Sequence, residues 1–402
     1  MDLQMKNMLT AVKNALHNTN EPLEQPDFDI IFEKARKQSI LPIVYQGCSS
    51  DKAFEQYESS LKLMKTIYSI LSLQSQRTAA FEELYEKLVE SGVKPLVLKG
   101  LLCRSLYGEL CDHRASGDED ILIPIEDYKT AKKILIENGY FIENENAPES
   151  NLSKVQEITF YNADKKLKIE LHVNLFTDTN EFFNKINSFF ENSFDDMVSF
   201  KANGKEYYTL EYTKNYLFLF FHIFKHFIGS GVGLRPLIDL FMFEKEFEHL
   251  IDWALVENII KDLSAWRFHR DLIAIGNEYL GFDLKQRSES VNTEMLIMDI
   301  ENAGTFGVDS ESQARSSAFT MVSVSYSGIK KYIKLLFPDR NYVVSHYPEY
   351  YGKSFFLPVV GVKRICKYIP TVLKRNNIKD IKKADVIAKK RVELLKEYKI
   401  IK

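Results

Sequence analysis

Three carboxylates on two short segments carry the chemistry this sequence offers. Asp118 and Asp120 stand two apart in Arg114-Ala-Ser116-Gly-Asp118-Glu-Asp120, which runs into Ile-Leu-Ile-Pro-Ile. Glu170 lies in the alternating stretch Ile169-Glu170-Leu-His172-Val173. Residues two apart on a strand point to the same side, so Asp118 and Asp120 share a face where their segment is extended. On the second segment Ile169, Leu171 and Val173 are expected in the core, which turns Glu170, His172 and Asn174 the other way. If the two strands are neighbours, the three acids converge. Close carboxylates repel one another unless a cation sits among them. Hard oxygen ligands suit Mg²⁺ (or Mn²⁺), which takes its remaining ligands from water and substrate phosphates. The chemistry expected is therefore metal-assisted phosphoryl or nucleotidyl transfer, with Asp118, Asp120 and Glu170 as metal ligands.

Cationic and hydroxyl groups suited to phosphate surround this trio in sequence. Lys99 ends an apolar run, Pro95-Leu-Val-Leu, and Gly100 follows it before a short helical stretch. That placement lets Lys99 meet a phosphate and lets backbone N–H groups approach an anion closely. Arg114 offers a bidentate fork, and Ser116 a hydroxyl for a phosphate or a turn. His172, beside an acidic metal site, is expected to hydrogen-bond a ligand carboxylate. His222-Ile-Phe-Lys-His226 sets two imidazoles one helical turn apart. Zinc is one reading of that spacing, but the glutamate of HExxH is missing, so a core or site-lining pair is preferred. Gly229-Ser-Gly231-Val-Gly233 follows a helix rather than a strand and reads as a helix–helix connector.

The elements that must position these groups follow from periodicity. Residues 1–90 read as helical, with Leu61, Met64, Ile67, Tyr68 and Leu71 near a 3.6-residue period. Pro95–Lys99 reads as a buried strand, 101–108 as a short helix, 121–125 as a second strand and 128–138 as a helix closed by Gly139. Residues 155–161 and 167–175 read as two further strands joined by a hairpin-type connection. From about 178 the helical period returns, and 211–228 is a strongly apolar helix. The expected organisation is an N-terminal helical region (1–90), a catalytic core (91–180), a helical domain (181–300) and a C-terminal region (301–402). The fold class is α+β, a small mixed sheet flanked by helices.

Composition limits the alternatives. The 402 residues are 45% hydrophobic and 27% charged with a net charge of −3, which excludes a disordered, fibrous or globally polyanion-binding chain. The longest apolar run, 216–224, is far short of the ~20 residues a membrane helix needs, so no membrane insertion is expected. Cys48, Cys103, Cys111 and Cys366 show no CxxC spacing, and no signal peptide is evident, so a cytoplasmic location is expected. Residues 363–402 hold 14 Lys/Arg against 4 Asp/Glu. They read as a basic helix on an acidic body, with an anionic partner such as RNA as the sharper alternative.

The order Leu98-Lys99-Gly100, Tyr107, Arg114, Asp118-Glu119-Asp120-Ile-Leu-Ile and Glu170-Leu-His172-Val173 resembles the bacterial uncharacterised nucleotidyltransferase family. That family is related to the AbiEii-type toxins within the polymerase beta-type nucleotidyltransferase superfamily. The stretch HIFKHFIGSGVGLRPLIDL, with His222, His226, Arg235 and Asp239, is similar to the family's helical segment. PDRNYVVSHYP and LPVVGVKRI are similar to its C-terminal part. The resemblance implies metal binding by Asp118, Asp120 and Glu170, and places His222, Lys225, His226 and Arg235 as donors over the carboxylates. Here Glu119 stands where the family has an apolar residue, Gly100 is followed by Leu101 rather than serine, and Val173 replaces an aromatic.

The function expected is transfer of an NMP group from an NTP to a hydroxyl or phosphate acceptor, which is a small molecule, RNA or protein. Lys99, Gly100, Arg114, Ser116, His172, His222, His226 and Arg235 form the substrate-binding set. Two rivals are a catalytically inactive scaffold of the same fold and an RNA-directed, toxin-like transferase using the basic tail.

Overall fold

The computed structural model describes residues 1–143, 152, 155–176, 185–229, 231–284, 293–303, 386 and 388–400. The chain opens with four helices, α1 (Leu3–His17), α2 (Phe28–Lys37), α3 (Leu41–Cys48) and α4 (Ser60–Glu90). Helix α1 starts where the Asp2 carboxylate accepts the Met5 N–H at 2.7 Å, a side-chain N-cap. Helix α4 buries Leu63, Ile67, Phe81, Leu84, Tyr85 and Leu88 at helical spacing.

A mixed sheet of seven strands forms the centre. Its members are β1 (Leu96–Val97), β2 (Asp118–Leu122), β3 (Phe141–Ile142), β4 (Glu157–Asn162), β5 (Leu167–His172), β6 (Val198–Ala202) and β7 (Lys205–Thr209). They run in the order β3-β4-β5-β2-β1-β7-β6. β2 pairs parallel with β5 and antiparallel with β1, and β1 pairs parallel with β7. The fold is α+β: between the strands lie α5 (Leu101–Ser105) and α6 (Tyr128–Glu137). Ile121, Ile158, Phe160, Ile169 and Leu171 alternate with the polar residues of their strands and are buried.

Two sequence expectations change. The second strand starts at Asp118 rather than 121, so both aspartates are inside it. The stretch after 178, expected to be helical, contributes the hairpin β6–β7, which joins the sheet through β1. Its turn is Asn203-Gly204, both with positive φ (50° and 77°), the two-residue geometry that matches strand twist.

The helices α7 (Tyr212–Gly229), α8 (Leu234–Phe247), α9 (Trp253–Asp262), α10 (Trp266–Leu280) and α11 (Thr293–Ala303) follow. Phe220, Phe224, Phe227 and Phe268 stack among them. The two helical groups meet: Gln38 donates to the Ile300 carbonyl at 2.9 Å and accepts from the Leu234 N–H at 2.8 Å. The C-terminal helix over 388–397 docks here, with Arg391 reaching the Phe227 carbonyl and Asp299, and Tyr398 donating to Asp271 at 2.7 Å. The rest of the basic 363–402 stretch, PDRNYVVSHYP and LPVVGVKRI lie outside the described residues, apart from 386 and 388–400. Among the described residues no helix is long and apolar enough to cross a membrane.

Candidate functional site

The register of three adjacent strands writes the site onto one face of the sheet. Asp118 pairs with Lys168 and Asp120 with Glu170 across β2–β5; Lys168 pairs with Tyr161, Glu170 with Thr159 and His172 with Glu157 across β5–β4. Directly paired residues point to the same side. One face therefore carries the rows Asp118–Lys168–Tyr161, Asp120–Glu170–Thr159 and His172–Glu157, and the intervening residues form the core. Helix α7 lies over this face, and the cleft between them has a volume of about 810 Å³. Lys99, Asp118, Glu170, His222, His226 and Arg235 line it. A smaller recess beside it is lined by Gly100, Arg114, Ser116 and Asp120 as well.

One side-chain atom from each of Asp120, Glu170 and His172 lies within 4.8 Å of the others; Glu170 lines the cleft, Asp120 the recess, and His172 is buried beside them. Lys99 Nζ stands 2.9 Å from Asp120 Oδ1 and 3.1 Å from His222 Nε2. His172 Nε2 is 3.3 Å from Asp120 Oδ1 and 3.5 Å from Glu157 Oε2. With two carboxylate oxygens in front of it, Nε2 carries the proton, so His172 orients Asp120 as a donor. Asp118 shares the cleft but stands outside the tight trio, and its Oδ1 accepts the Ser116 hydroxyl at 2.5 Å.

The titration behaviour follows from burial and these neighbours. Burial pushes the Asp120 carboxyl up, but Lys99 and His172 outweigh it and hold it well below the usual carboxylate range. Burial, reinforced by the Asp120 charge, pushes Glu170 up to about 9. Burial pulls the Lys99 ammonium down, yet Asp120, Glu170 and Asp118 keep it above its ordinary value. His222 and His226 are both lowered, chiefly by burial and then by Lys99, His226 to about 4. The imidazoles are therefore neutral beside a charged lysine. His226 Nε2 lies 3.1 Å from His222 Nε2, so the pair lines the cleft.

Several expected phosphate contacts have protein partners. The bidentate fork of Arg114 closes on Asp239, with Nε–Oδ1 3.1 Å and Nη2–Oδ2 2.6 Å, and Tyr107 donates to the same carboxylate at 2.8 Å. Arg235 Nη1 donates to the Ala115 carbonyl at 3.0 Å. The N–H of Leu101, at the helix start after Gly100, donates to Glu119 Oε2 at 2.8 Å, and Glu119 also pairs with Arg104 in full burial. The anion at that helix start is thus the protein's own glutamate.

Residues missed from sequence hold the loop before Asp118. Gln74 Oε1 accepts the Ser116 N–H at 2.7 Å, and Arg77 donates to the Ser116 and Lys166 carbonyls at 3.0 and 2.8 Å. Both belong to α4, whose apolar period conceals them; no local signal distinguishes them from ordinary helix polar residues. Lys225 donates to Gln156 Oε1 at 2.8 Å on the opposite wall.

Clustered carboxylate oxygens flanked by an imidazole fit a divalent cation, with Asp120 and Glu170 as the central oxygen donors. No curated protein and no solved structure matches the chain. The family model described as uncharacterised nucleotidyltransferase matches residues 24–281, a stretch that contains every strand and all the cleft residues named above. With more than half its length matched, the chain belongs to the uncharacterised nucleotidyltransferase family.

Proposed function

We propose that the protein transfers an NMP group from an NTP to a hydroxyl or phosphate acceptor in the cytoplasm, with Mg²⁺ or Mn²⁺. The observation that carries this reading is the grouping of Asp120, Glu170 and His172 side-chain atoms within 4.8 Å of one another, with Glu170 lining a cleft large enough for a nucleotide and Asp120 lining the recess beside it. The family membership supports it, as does the resemblance of LKG, DxD and ELH to the polymerase beta-type superfamily.

Asp118, Asp120 and Glu170 would hold the metal, and His172 would fix the Asp120 carboxylate through Nε2–H. When bound, such a metal supplies positive charge to the triphosphate and acidifies an attacking hydroxyl. In the transfer the acceptor oxygen bonds to the α-phosphorus, the bond from that phosphorus to the bridging oxygen breaks, and pyrophosphate leaves. Glu170 is placed to ligate metal or to take the acceptor's proton. Lys99, held by Asp120 and His222, presents its ammonium to the phosphates, and Ser116 and Arg235 line the same recess. The acceptor is a small molecule, RNA or protein that reaches the open side of the cleft.

The test is incubation with each α-labelled NTP, Mg²⁺ and a cell extract, followed by identification of whatever acquires label. Wild type should transfer label and Asp120→Asn should not. Equal labelling by both would refute the assignment.

A further inference from the structure

We propose that Arg77, with Lys166 and Lys168, forms a phosphate subsite on the rim of the cleft, outside the motifs read from the sequence above. The guanidinium is locked from behind: Nε and Nη1 each donate to a backbone carbonyl, of Lys166 and Ser116. That anchoring ties the loop before β2 to the β4–β5 hairpin, where Lys168 N also donates to the Gly117 carbonyl at 2.9 Å. Nη2 is left over. It flanks Gly117, 3.9 Å from where a Cβ would stand, and makes no hydrogen bond among the described residues. Arg77 lines the cleft together with Lys166 and Lys168.

A guanidinium held in one orientation with an open donor is suited to a phosphate oxygen, since little side-chain freedom is lost on binding. Lys168 shares the row of Asp118, so its ammonium lies beside the carboxylate strand. Its side chain is 42% exposed and its pairing with Glu143 at 2.7 Å is solvent-screened, so an anion can compete for it. Lys166 is exposed. The ligand group is a phosphate, carried either by the NTP or by the acceptor. Naming those two sources rests on the nucleotidyltransferase reading; the subsite itself does not.

The full-length protein is titrated calorimetrically, without metal, with inorganic tripolyphosphate and with a nucleoside 5′-monophosphate. The double variant Lys166→Gln, Lys168→Gln alters one exposed and one half-exposed side chain without setting a new negative charge beside Glu143 or Asp118, so its thermal midpoint should stay close to the wild-type value. Its affinity for at least one of the two probes should fall by about tenfold or more, the scale of losing charge-assisted contacts. Loss for tripolyphosphate alone assigns the group to the donor, and loss for the monophosphate alone assigns it to the acceptor. Arg77→Gln should lower the same affinity. Unchanged affinity for both probes in the double variant overturns the subsite. Absence of label transfer by the wild type would instead remove the nucleotidyltransferase reading and leave the binding result standing.

Discussion

Glu119 lies so close to Gly100 that a Cβ on residue 100 would stand 1.9 Å from Glu119 Oε2. Gly100 also has φ +51°, a conformation that L side chains rarely adopt. The glycine is thus required by the buried Glu119–Arg104 pair behind the carboxylate strand, in addition to any role toward substrate. Glu119 stands between the two site aspartates, so this pair fixes the back of the strand whose front carries them. Removing one member leaves an uncompensated buried charge, which costs about 3–5 kcal/mol. Glu119→Leu and Arg104→Met should each lose about that much in urea unfolding, and the double variant should recover most of it. Additive losses in the double variant would show that the two side chains do not act as a pair.

The carboxylate cluster predicts metal-linked stabilisation. A cation bound only by the native state raises the thermal midpoint by mass action. Mn²⁺ or Mg²⁺ should therefore stabilise wild type in a concentration-dependent way, and Asp120→Asn and Glu170→Gln should abolish the shift. Glu170→Gln should fold at least as well as wild type without metal, because it removes a carboxyl that burial and Asp120 push up to about 9. An unaltered Mn²⁺ response in both variants, by thermal shift or electron paramagnetic resonance, would place the metal elsewhere.

That Asp118, Asp120 and Glu170 share one sheet face was legible in sequence because its information is local; that His172 rather than Asp118 completes the tight group was not. Alternation along 118–122 and 167–172 fixes which side chains share a face, and the apolar residues between them decide which face is buried. The hairpin β6–β7 also carried a local signal, Asn203-Gly204 between alternating residues, which the surrounding helical periodicity outweighed. What was not legible depends on contacts between distant segments. Arg114 and Asp239 are 125 residues apart, and Arg77 reaches Lys166 across 89. Glu119 stood out only as a charge in an apolar position; that Arg104 would neutralise it depends on how α5 folds back on β2.

The Arg114–Asp239 fork predicts a stability effect where a substrate clamp would predict only a binding effect. Both groups are buried, and Asp239 and the other neighbours hold the Arg114 guanidinium well above its ordinary pKa against the downward pull of burial. Asp239→Asn should lower unfolding free energy by about 3–5 kcal/mol, since it leaves the guanidinium without its counter-charge. Normal stability with weakened NTP binding would mean that Arg114 turns to the substrate instead.

His226→Ala offers the opposite signature. His226 is a partly buried residue facing the cleft, and its ring reaches His222, which contacts Lys99. Substitution should cut label transfer while leaving the thermal midpoint close to wild type. A large drop in midpoint would assign the pair to core packing.

A second buried polar cluster, remote from the carboxylates, predicts how stability depends on pH. Tyr216 donates to Glu244 Oε2 at 3.0 Å and lies 2.7 Å from His269 Nε2. Burial pushes the Glu244 carboxyl up to about 8, with the Tyr216 hydrogen bond opposing it, and pulls the His269 imidazole down to about 3. Glu244 is therefore folded in its neutral form while the unfolded chain ionises near its ordinary value of 4.5. Between those values the unfolded state binds fewer protons, so stability falls as pH rises, by up to about 1.4 kcal/mol per pH unit, and levels off above 8. His269 acts from the other side: stability falls as pH drops from its ordinary 6.5 toward 3. Glu244→Gln keeps the neutral hydrogen-bonding shape and removes the titration. Urea unfolding between pH 6.5 and 8, above the range where His269 opposes it, should show a shallower decline in that variant than in wild type, Glu170 still contributing its share, and parallel curves would mean that Glu244 is charged in the folded protein.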